Sequence, residues 1–325
     1  MRKFTIIFVC ATTLLGLGSC QKNIDAFIPD ASQNALDTTW QSSLPANASI
    51  TSLKNDLKIT PVTDSFSYSN TGIVFSSGNI FLGIPANGLV KANGLIPFGI
   101  VTMETLLTHK KGDFIAMGMP TTSNDRLLVT GGAFFIGLKN NNDDLFVSQG
   151  NKLSVKFNAA SPVHGNKIFN PALDSAHGFT WVQNTDTAHN KSTITSTGYE
   201  IQTNKLMYVQ TAYYFDTTGI AQTNVSLKLP SNYTNANTAA YIAFNDMECV
   251  AALKANFSSR TFISPSLPVN RIATIVVISK QAGDYYLGTQ QITTTGSSTG
   301  GISQTVLFSP VKKSLPFIKS YLSNL

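Results

Sequence analysis

Apolar residues occur along most of the chain in short runs that alternate with Ser, Thr, Asn and Gly. In the first half these runs recur at intervals of roughly ten to fifteen residues, a spacing typical of antiparallel sandwiches and barrels. They occupy residues 66–68, 73–75, 80–82, 100–107, 114–117 and 127–138, followed later by 199–201 and 206–215. The pattern predicts an all-β domain over residues 57–216.

A second series of apolar runs follows this domain, at residues 225–229, 239–244, 250–253, 261–263, 272–278, 285–287 and 306–308. Residues 272–278 are almost all apolar and β-branched, which predicts a central strand covered on both faces. The expected fold class is therefore mainly β, with two tandem antiparallel β-sandwich domains. The second domain, residues 217–311, is expected to be Ig-like or transthyretin-like.

Turn residues and one change of period complete the pattern. Ser76-Ser77-Gly78-Asn79 and residues 140–144 separate apolar runs, and Asn, Asp and Gly tolerate the positive φ of hairpin turns. Residues 158–198 are polar and predict a long excursion or an inter-domain connection. In residues 312–325 apolar side chains recur every three or four positions behind Ser314, which predicts a short C-terminal amphipathic helix.

The N-terminus has the pattern of an export signal. Arg2 and Lys3 precede an apolar stretch at 4–17 that is too short to span a bilayer of roughly 30 Å as a helix. Leu17-Gly18-Ser19-Cys20 resembles the lipobox of bacterial lipoproteins, which implies cleavage after residue 19 and acylation of Cys20. An ordinary secretory signal or an uncleaved anchor are the alternatives. Residues 20–56 then predict a tether, with a short helix around 50–57.

Composition narrows the function classes. Only 12% of residues are charged, and the net charge of +6 includes Arg2 and Lys3 of the signal. No basic run is present to neutralise consecutive phosphates, so we expect no nucleic-acid partner.

Cys10 leaves with the signal and Cys20 carries lipid, so Cys249 has no cysteine with which to form an intrachain disulfide. The expected location is the bacterial cell envelope, as an outer-membrane lipoprotein held by its lipid anchor.

No combination of residues predicts an active site, a cofactor or a metal centre. Residues 296–300 match G-x-S-x-G, but neither the required strand-turn-helix context nor a downstream His is present. The four histidines lack metal-ligand spacing, and residues 140–144 lack the Gly and Glu of a calcium loop. Asp174 and His177 lie three residues apart without a supported nucleophile. The sequence therefore predicts a protein that is not an enzyme.

Four short strings resemble the Asp-Ser/Thr-small sites at which exported Bacteroidetes proteins are O-glycosylated. The acceptor hydroxyls belong to Thr38, Ser175, Thr187 and Thr217. Two of the four fall within residues 158–198, which suggests that this stretch is exposed and glycosylated.

A family resemblance is carried by residues 84–89, Ile-Pro-Ala-Asn-Gly-Leu, which resemble the signature that opens ZU5-like domains. Together with residues 120–128 and 130–135, they are similar to Bacteroidetes-type surface lipoproteins of unassigned function. The resemblance implies a β domain and, in some relatives, self-cleavage at a His-Phe-Ser type site. Here His177-Gly178-Phe179-Thr180 has an inserted glycine that displaces the imidazole from the hydroxyl. Gly131-Gly132 is expected to allow a bulge in a long strand.

These features predict an envelope-anchored lipoprotein that acts as a non-catalytic binding or structural module, with an envelope protein or a glycan as its partner. The alternative is an extracytoplasmic glycan- or peptide-binding protein that uses exposed aromatic residues. Its candidate ligand contacts are Trp181 with Tyr213 or Tyr214. Self-cleavage is a further, minor alternative.

Overall fold

The computed structural model describes residues 38–174, 178–296 and 302–325. Cys20, Ser175, His177 and Ser298 lie outside the described residues. Residues Thr38–Leu325 form one compact unit.

Strands dominate the described residues, together with helices α1 (Ser49–Leu57), α2 (Lys111–Ala116) and α3 (Leu315–Ser323). The strands are β1 (Val62–Tyr68), β2 (Ile73–Ser77), β3 (Ile80–Ile84), β4 (Leu89–Lys91), β5 (Gly99–Thr108), β6 (Thr122–Ser123), β7 (Arg126–Asn140), β8 (Asp143–Val147), β9 (Leu153–Asn158), β10 (Lys167–Asp174), β11 (Gly178–Gln183), β12 (Lys191–Ile194), β13 (Gly198–Thr203), β14 (Tyr208–Tyr214), β15 (Gln222–Lys228), β16 (Thr238–Phe244), β17 (Val250–Ala252), β18 (Lys254–Asn256), β19 (Thr261–Ile263), β20 (Leu267–Pro268), β21 (Ile272–Gln281), β22 (Asp284–Thr293), β23 (Ile302–Leu307) and β24 (Val311–Lys313).

The first sandwich packs a large sheet, ordered β1-β5-β7-β14-β10-β11 with β4, β6 and β8 attached, on a second sheet, ordered β12-β13-β9-β3-β2. Side chains that alternate along β5, β7 and β9 fill the space between them, among them Val101, Met103, Phe134, Ile136 and Phe157. Period-two alternation places these residues on one face of each strand, which is why the sequence pattern identified them. The predicted antiparallel β-sandwich in this part of the chain is confirmed.

Local turn chemistry also follows the sequence. Gly78 and Asn79 have φ of 58° and 64° between β2 and β3. Asn141 and Asn142 have φ of 53° and 69° between β7 and β8, so both predicted hairpins are confirmed. The strand pairing skips Gly131, because Thr211 pairs with Gly132 and Ala212 with Thr130. This extra residue is the predicted bulge.

The second sandwich packs β18-β19-β15-β20 on β17-β16-β21-β22-β24. Its core includes Val225, Phe244, Ile275 and Val277. The pairs are antiparallel except that β23 runs parallel to β15. The central position predicted for residues 272–278 is confirmed, because β21 pairs with both β16 and β22.

The other face of that sheet is covered by the three helices. Ile50 and Leu53 of α1, Ile115 of α2, and Ile318 of α3 pack against Val276 and its neighbours. This contact explains why consecutive residues of β21 are apolar, since alternate side chains enter different cores.

The predictions for two of the helical segments had different outcomes. The C-terminal helix is confirmed as α3, whose N-cap Ser314 accepts a hydrogen bond from the Phe317 amide (3.3 Å), although β24 takes up residues 312 and 313. The predicted strand at residues 114–117 is wrong, because α2 covers most of it. The carboxylate of Asp113 caps α2 by accepting from the Lys110 amide (3.0 Å), a local signal that outweighs the short apolar run.

The predicted tether over residues 20–56 needs correction in its described part. Helix α1 buries Ile50, Leu53 and Leu57 on the second sandwich. Ahead of it, the ring of Trp40 packs on Phe262 with centroids 5.0 Å apart. Residues 38–56 therefore belong to the folded body, because three apolar side chains on one face of a two-turn helix are enough to bind it to the sheet.

The predicted polar excursion at residues 158–198 is also corrected. It contains β10, β11 and β12, of which β10 and β11 extend the large sheet. Ile168 and Phe169 are adjacent, yet they enter cores on opposite faces of that sheet. Burial on both faces removes the alternation that identifies half-buried strands, and Pro171 within β10 weakened the signal further.

Strand β7 joins the two sandwiches. Near its start Leu127 lies in the core of the second sandwich, whereas Phe134 and Leu138 lie in the core of the first. The amide of Thr130 also donates to the Glu248 carbonyl at 2.9 Å. From Leu127 to Asn140 the strand extends about 40 Å at roughly 3.3 Å per residue.

Candidate functional site

The aromatic cleft expected around Trp181 does not form. Trp181 is 0% exposed and packs with Phe114 and Phe169 on the outer face of the large sheet. Tyr214 points to the same cluster, where its hydroxyl shares a hydrogen bond with the Ser123 hydroxyl (3.1 Å). Tyr213 follows the strand alternation to the opposite face. Trp181 is therefore a core residue, and its prediction as an exposed ligand contact is wrong. Tyr213 and Tyr214 are half-buried, and their assignment as ligand contacts stays a prediction.

The candidate self-cleavage segment is described only from Gly178 onward. Thr180 is buried, and its hydroxyl accepts a hydrogen bond from the Asn124 amide at 2.9 Å. That bond fixes Thr180 against the β6–β7 turn. The His177 imidazole lies outside the described residues.

Cys249 and the His189–Asp186 pair are the other groups with potential chemistry. Burial raises the pKa of the Cys249 thiol to about 12, so the thiol is protonated and unreactive at neutral pH. His189 Nδ1 lies 2.9 Å from Asp186 Oδ2 on an exposed loop. The same carboxylate accepts from the Asn204 amide nitrogen (3.3 Å), so it serves to fix this loop. Among the described residues, no group of three or more His, Cys, Asp or Glu could hold a metal ion.

The described O-glycosylation candidates are all accessible. Thr38, Thr187 and Thr217 are exposed and lie outside the strands. Thr217 follows Asp216, which accepts a hydrogen bond from the Thr218 amide (2.9 Å) and so stabilises the turn. Ser175 lies outside the described residues.

A narrow cleft of about 140 Å³ lies where the two sandwiches meet, beside Thr122, Thr180 and Lys54. Its charged side chains are Lys54, Asp125 and Lys254, and the Asp125 carboxylate oxygens lie 2.6 and 2.8 Å from Lys254 Nζ. This carboxylate and this ammonium neutralise each other across the junction and so join the sandwiches. Burial lowers the pKa of the third charged group, the Lys54 ammonium.

The most distinctive surface lies at the far end of the first sandwich, and we call it the apolar tip. It consists of Leu95, Ile96, Phe98 and Ile100, on and beside the β4–β5 loop, with Phe146 on the adjoining strand β8. Phe98 is 78% exposed, Leu95 63% and Ile100 61%. Burying one such side chain is worth roughly 1–2 kcal/mol, so five of them form a strongly adhesive surface.

The loop holds these side chains outward. Pro97, between Ile96 and Phe98, is buried and fixes the loop to the body. The side-chain amide of Asn140 donates to the carbonyls of Phe98 (3.1 Å) and Ile100 (2.9 Å). The Lys91 amide donates to the Leu95 carbonyl at 2.9 Å. The backbone is therefore fixed on both sides of the apolar side chains before any partner binds.

The charges around the apolar tip cancel in pairs. Lys91 Nζ lies 3.0 Å from Asp143, and Lys139 Nζ lies 4.0 Å from Asp144. Neither pair leaves an excess of one sign. The tip is therefore an apolar surface with a neutral rim, which does not select a charged partner.

Sequence reasoning missed the apolar tip. Its signal is the string Gly94-Leu95-Ile96-Pro97-Phe98-Gly99, in which large apolar residues stand between two glycines and around a proline. Gly94 and Gly99 have φ of 80° and 85°, and Pro97 cannot donate to a strand ladder. An apolar run with this punctuation predicts a loop, and an apolar loop predicts a binding surface.

No family model and no curated protein matches this sequence. Among solved structures, gamma-CGTase from Alkalophilic bacillus clarkii is similar at 12% sequence identity with a TM-score of 0.19. The match covers 77% of this chain and 41% of that chain, so the present chain spans less than half the length of that protein. A likeness at this TM-score implies nothing about activity.

Within residues 38–174, 178–296 and 302–325, no helix combines the length and the apolar character needed to cross a bilayer.

Proposed function

We propose that this chain is a lipid-anchored module of the bacterial envelope, and that it acts by binding through the apolar tip, without catalysis. The arrangement of the two ends supports this proposal. The described chain begins on the second sandwich at Thr38 and Trp40, whereas the tip lies at the opposite end of β7. One end of the body is thus suited to attachment and the other to contact.

The anchor is tested by replacing its lipid acceptor. Cys20→Ser is expected to abolish incorporation of labelled palmitate and to move the chain from the membrane to the soluble fraction, because the acylated thiol is lost. Cys10→Ser is the matched control, since that residue leaves with the signal. A Cys20→Ser chain that stays in the membrane, or an N-terminal peptide that still begins at Met1, would contradict the proposal.

Binding of a glycan is a weaker candidate. Trp181 is buried, and the aromatic residues at the surface of the tip, Phe98 and Phe146, carry no hydrogen-bonding groups. Sugar hydroxyls need polar partners, and the described rim groups are already paired with each other. The chemistry of the tip favours an apolar partner.

We also propose that the exposed hydroxyls of Thr38, Thr187 and Thr217 carry O-linked glycans in the native host. The intact mass of the native chain, measured by mass spectrometry, is expected to exceed the mass of the lipoprotein alone. Thr187→Ala should remove one glycan mass, while Thr180→Ala, which alters a buried threonine, should remove none. The kinship with ZU5-like domains stays a proposal that rests on residues 84–89.

A further inference from the structure

We propose that the apolar tip inserts into the interface of the bilayer that carries the lipid anchor, so that the protein is attached at two points. This inference rests on the proposed envelope location and names the partner of the tip. It commits to a lipid surface of neutral or mixed headgroups.

The shape of the tip favours lipid over a folded partner. An ideal Cβ built on Gly94 or Gly99, which flank the loop, meets no heavy atom within 4 Å, so there is open space at both ends of the loop. Phe98, between them, is 78% exposed. A projecting apolar loop fits the acyl region of a bilayer, which accepts any convex shape, whereas a protein partner must supply a matching groove.

The chemistry of the tip agrees with this choice. Leu95, Ile96, Phe98 and Ile100 have no side-chain donors or acceptors, so their burial in lipid leaves no polar side-chain group unsatisfied. The loop amide of Leu95 is already bonded to the Asn93 side chain (3.1 Å). The paired rim charges give no preference for anionic headgroups, so insertion should depend on apolar contact alone.

The length of the chain before Thr38 permits attachment at both points. If the mature chain begins at Cys20, 18 residues (38 − 20) connect the lipid to the body. Fully extended, they reach about 60 Å, which exceeds the roughly 40 Å that β7 covers between the second sandwich and the tip. With the anchor in the bilayer, insertion becomes an intramolecular step, so even a weak tip affinity is sufficient.

Flotation of the unlipidated chain, residues 21–325, with vesicles tests the inference. Phosphatidylcholine vesicles and vesicles with one-fifth phosphatidylglycerol are compared at low and high salt. We expect the chain to float with both to a similar extent. We expect the double variant Ile96→Ser/Phe98→Ser to lower the partition coefficient at least tenfold, because two exposed apolar side chains are lost without disturbing the core.

Leu173→Ser is the matched control, because Leu173 is 87% exposed on β10, away from the tip. Its partition coefficient should stay within twofold of the parent chain. A Phe98→Trp variant should additionally show a blue-shifted emission with vesicles. Absence of flotation, equal loss in the control, or binding only to anionic vesicles would overturn the inference. Capture of a protein by a photo-crosslinker at position 98, without flotation, would overturn it in favour of a protein partner.

The two proposals fail separately. The flotation assay uses a chain without lipid, so its outcome does not depend on whether Cys20 is acylated. Absence of palmitate labelling in the wild-type chain would contradict the anchor and leave the flotation result standing.

Discussion

The two sandwiches differ in how far their apolar side chains are buried. In the second sandwich the sheet around β21 is covered on both faces, by the partner sheet and by three helices, so both faces of β21 bury apolar side chains. The first sandwich has a complete core of its own, yet it leaves Leu95, Ile96 and Phe98 in solvent. The second sandwich also has exposed apolar side chains, such as Leu307 and Phe317, but the first has three of them on a single loop.

The contrast is clearest between two phenylalanines. Phe244 is fully buried in the second core, and Phe98 is among the most exposed large side chains of the described chain. Phe98 contributes little to the core, but its backbone carbonyl is held by Asn140. A fold that fixes the backbone of an exposed apolar residue indicates that the residue serves a surface role.

The largest effect on stability is expected at Phe244, the buried residue of this pair. Phe244→Ala is expected to lower the free energy of unfolding by about 3–5 kcal/mol, because it leaves a cavity in the second core. Urea denaturation followed by circular dichroism measures the loss. A loss below about 1 kcal/mol would mean that this core is loosely packed and that the contrast is weaker than the structure indicates.

The next prediction concerns the strand that joins the sandwiches. Leu127→Ala should lower the free energy of unfolding by about 2–4 kcal/mol, since Leu127 is buried in the second core. It should also separate the transitions of the two sandwiches, because this side chain links them. Fluorescence of Trp40 reports on the second sandwich and that of Trp181 on the large sheet, in variants that keep one tryptophan each.

Leu138→Ala is the control for the joining strand. Leu138 lies on the same strand in the first core. Its replacement should therefore lower the free energy of unfolding without separating the transitions that the two tryptophans report. Coincident transitions in both variants would show that Leu127 does not couple the sandwiches.

A smaller effect is expected where α1 attaches to the second sandwich. Asp56 Oδ2 accepts hydrogen bonds from Lys280 Nζ (2.7 Å) and the Tyr285 hydroxyl (2.8 Å). The bond from Lys280 lowers the pKa of Asp56, although burial acts in the opposite direction. Asp56→Asn should therefore cost about 1 kcal/mol of stability at pH 7.

The pH dependence of this effect has a definite sign. The folded pKa of Asp56 lies below its unfolded value of about 3.9, so the carboxylate stabilises the fold above that pH. The contribution is lost as the pH falls through the lowered folded pKa. The stability difference between wild type and Asp56→Asn should shrink over that acid range, as measured by urea midpoints. A difference that stays constant would exclude the ion pair as its cause.

The smallest effect is expected at the tip. Phe98→Ser should change the free energy of unfolding by less than about 0.5 kcal/mol, because the side chain is already in solvent. Thermal denaturation of Phe98→Ser and Phe244→Ala under the same conditions gives the most direct comparison of the two regions. A loss of several kcal/mol at position 98 would place Phe98 in the core and would contradict its role in contact.

Several elements could be predicted from the sequence because their cause is local. Positive φ at Asn141 and Asn142 follows from the tolerance of Asn for that conformation, and Ser314 caps α3 through its own hydroxyl. The bulge at Gly131 follows from two adjacent glycines in a long strand. The β class follows from period-two alternation, which reports one buried face.

Other elements could not be predicted because their cause lies in distant residues. In β10 the adjacent Ile168 and Phe169 are buried on opposite faces, and in β11 the adjacent Thr180 and Trp181 are both buried, so no simple alternation revealed these strands. From the sequence, Trp181 could have lined a cleft or filled a core. It is buried because Phe114 of α2 packs in the same cluster. The glycines and proline that mark the apolar tip as a loop are local, but the bond from the distant Asn140 to the Phe98 carbonyl, which holds the loop in place, is visible only in the fold.

The sequence by itself therefore determined the β class, the hairpin turns, the bulge and the C-terminal helix, since each depends on residues close together in the chain. Only the tertiary structure decided that residues 38–57 belong to the body, that Trp181 is buried and that the tip is exposed. The physical reason is that burial depends on which surfaces meet, and those surfaces are supplied by residues more than a hundred positions apart, as when the Thr121 amide donates to the Val250 carbonyl (2.8 Å).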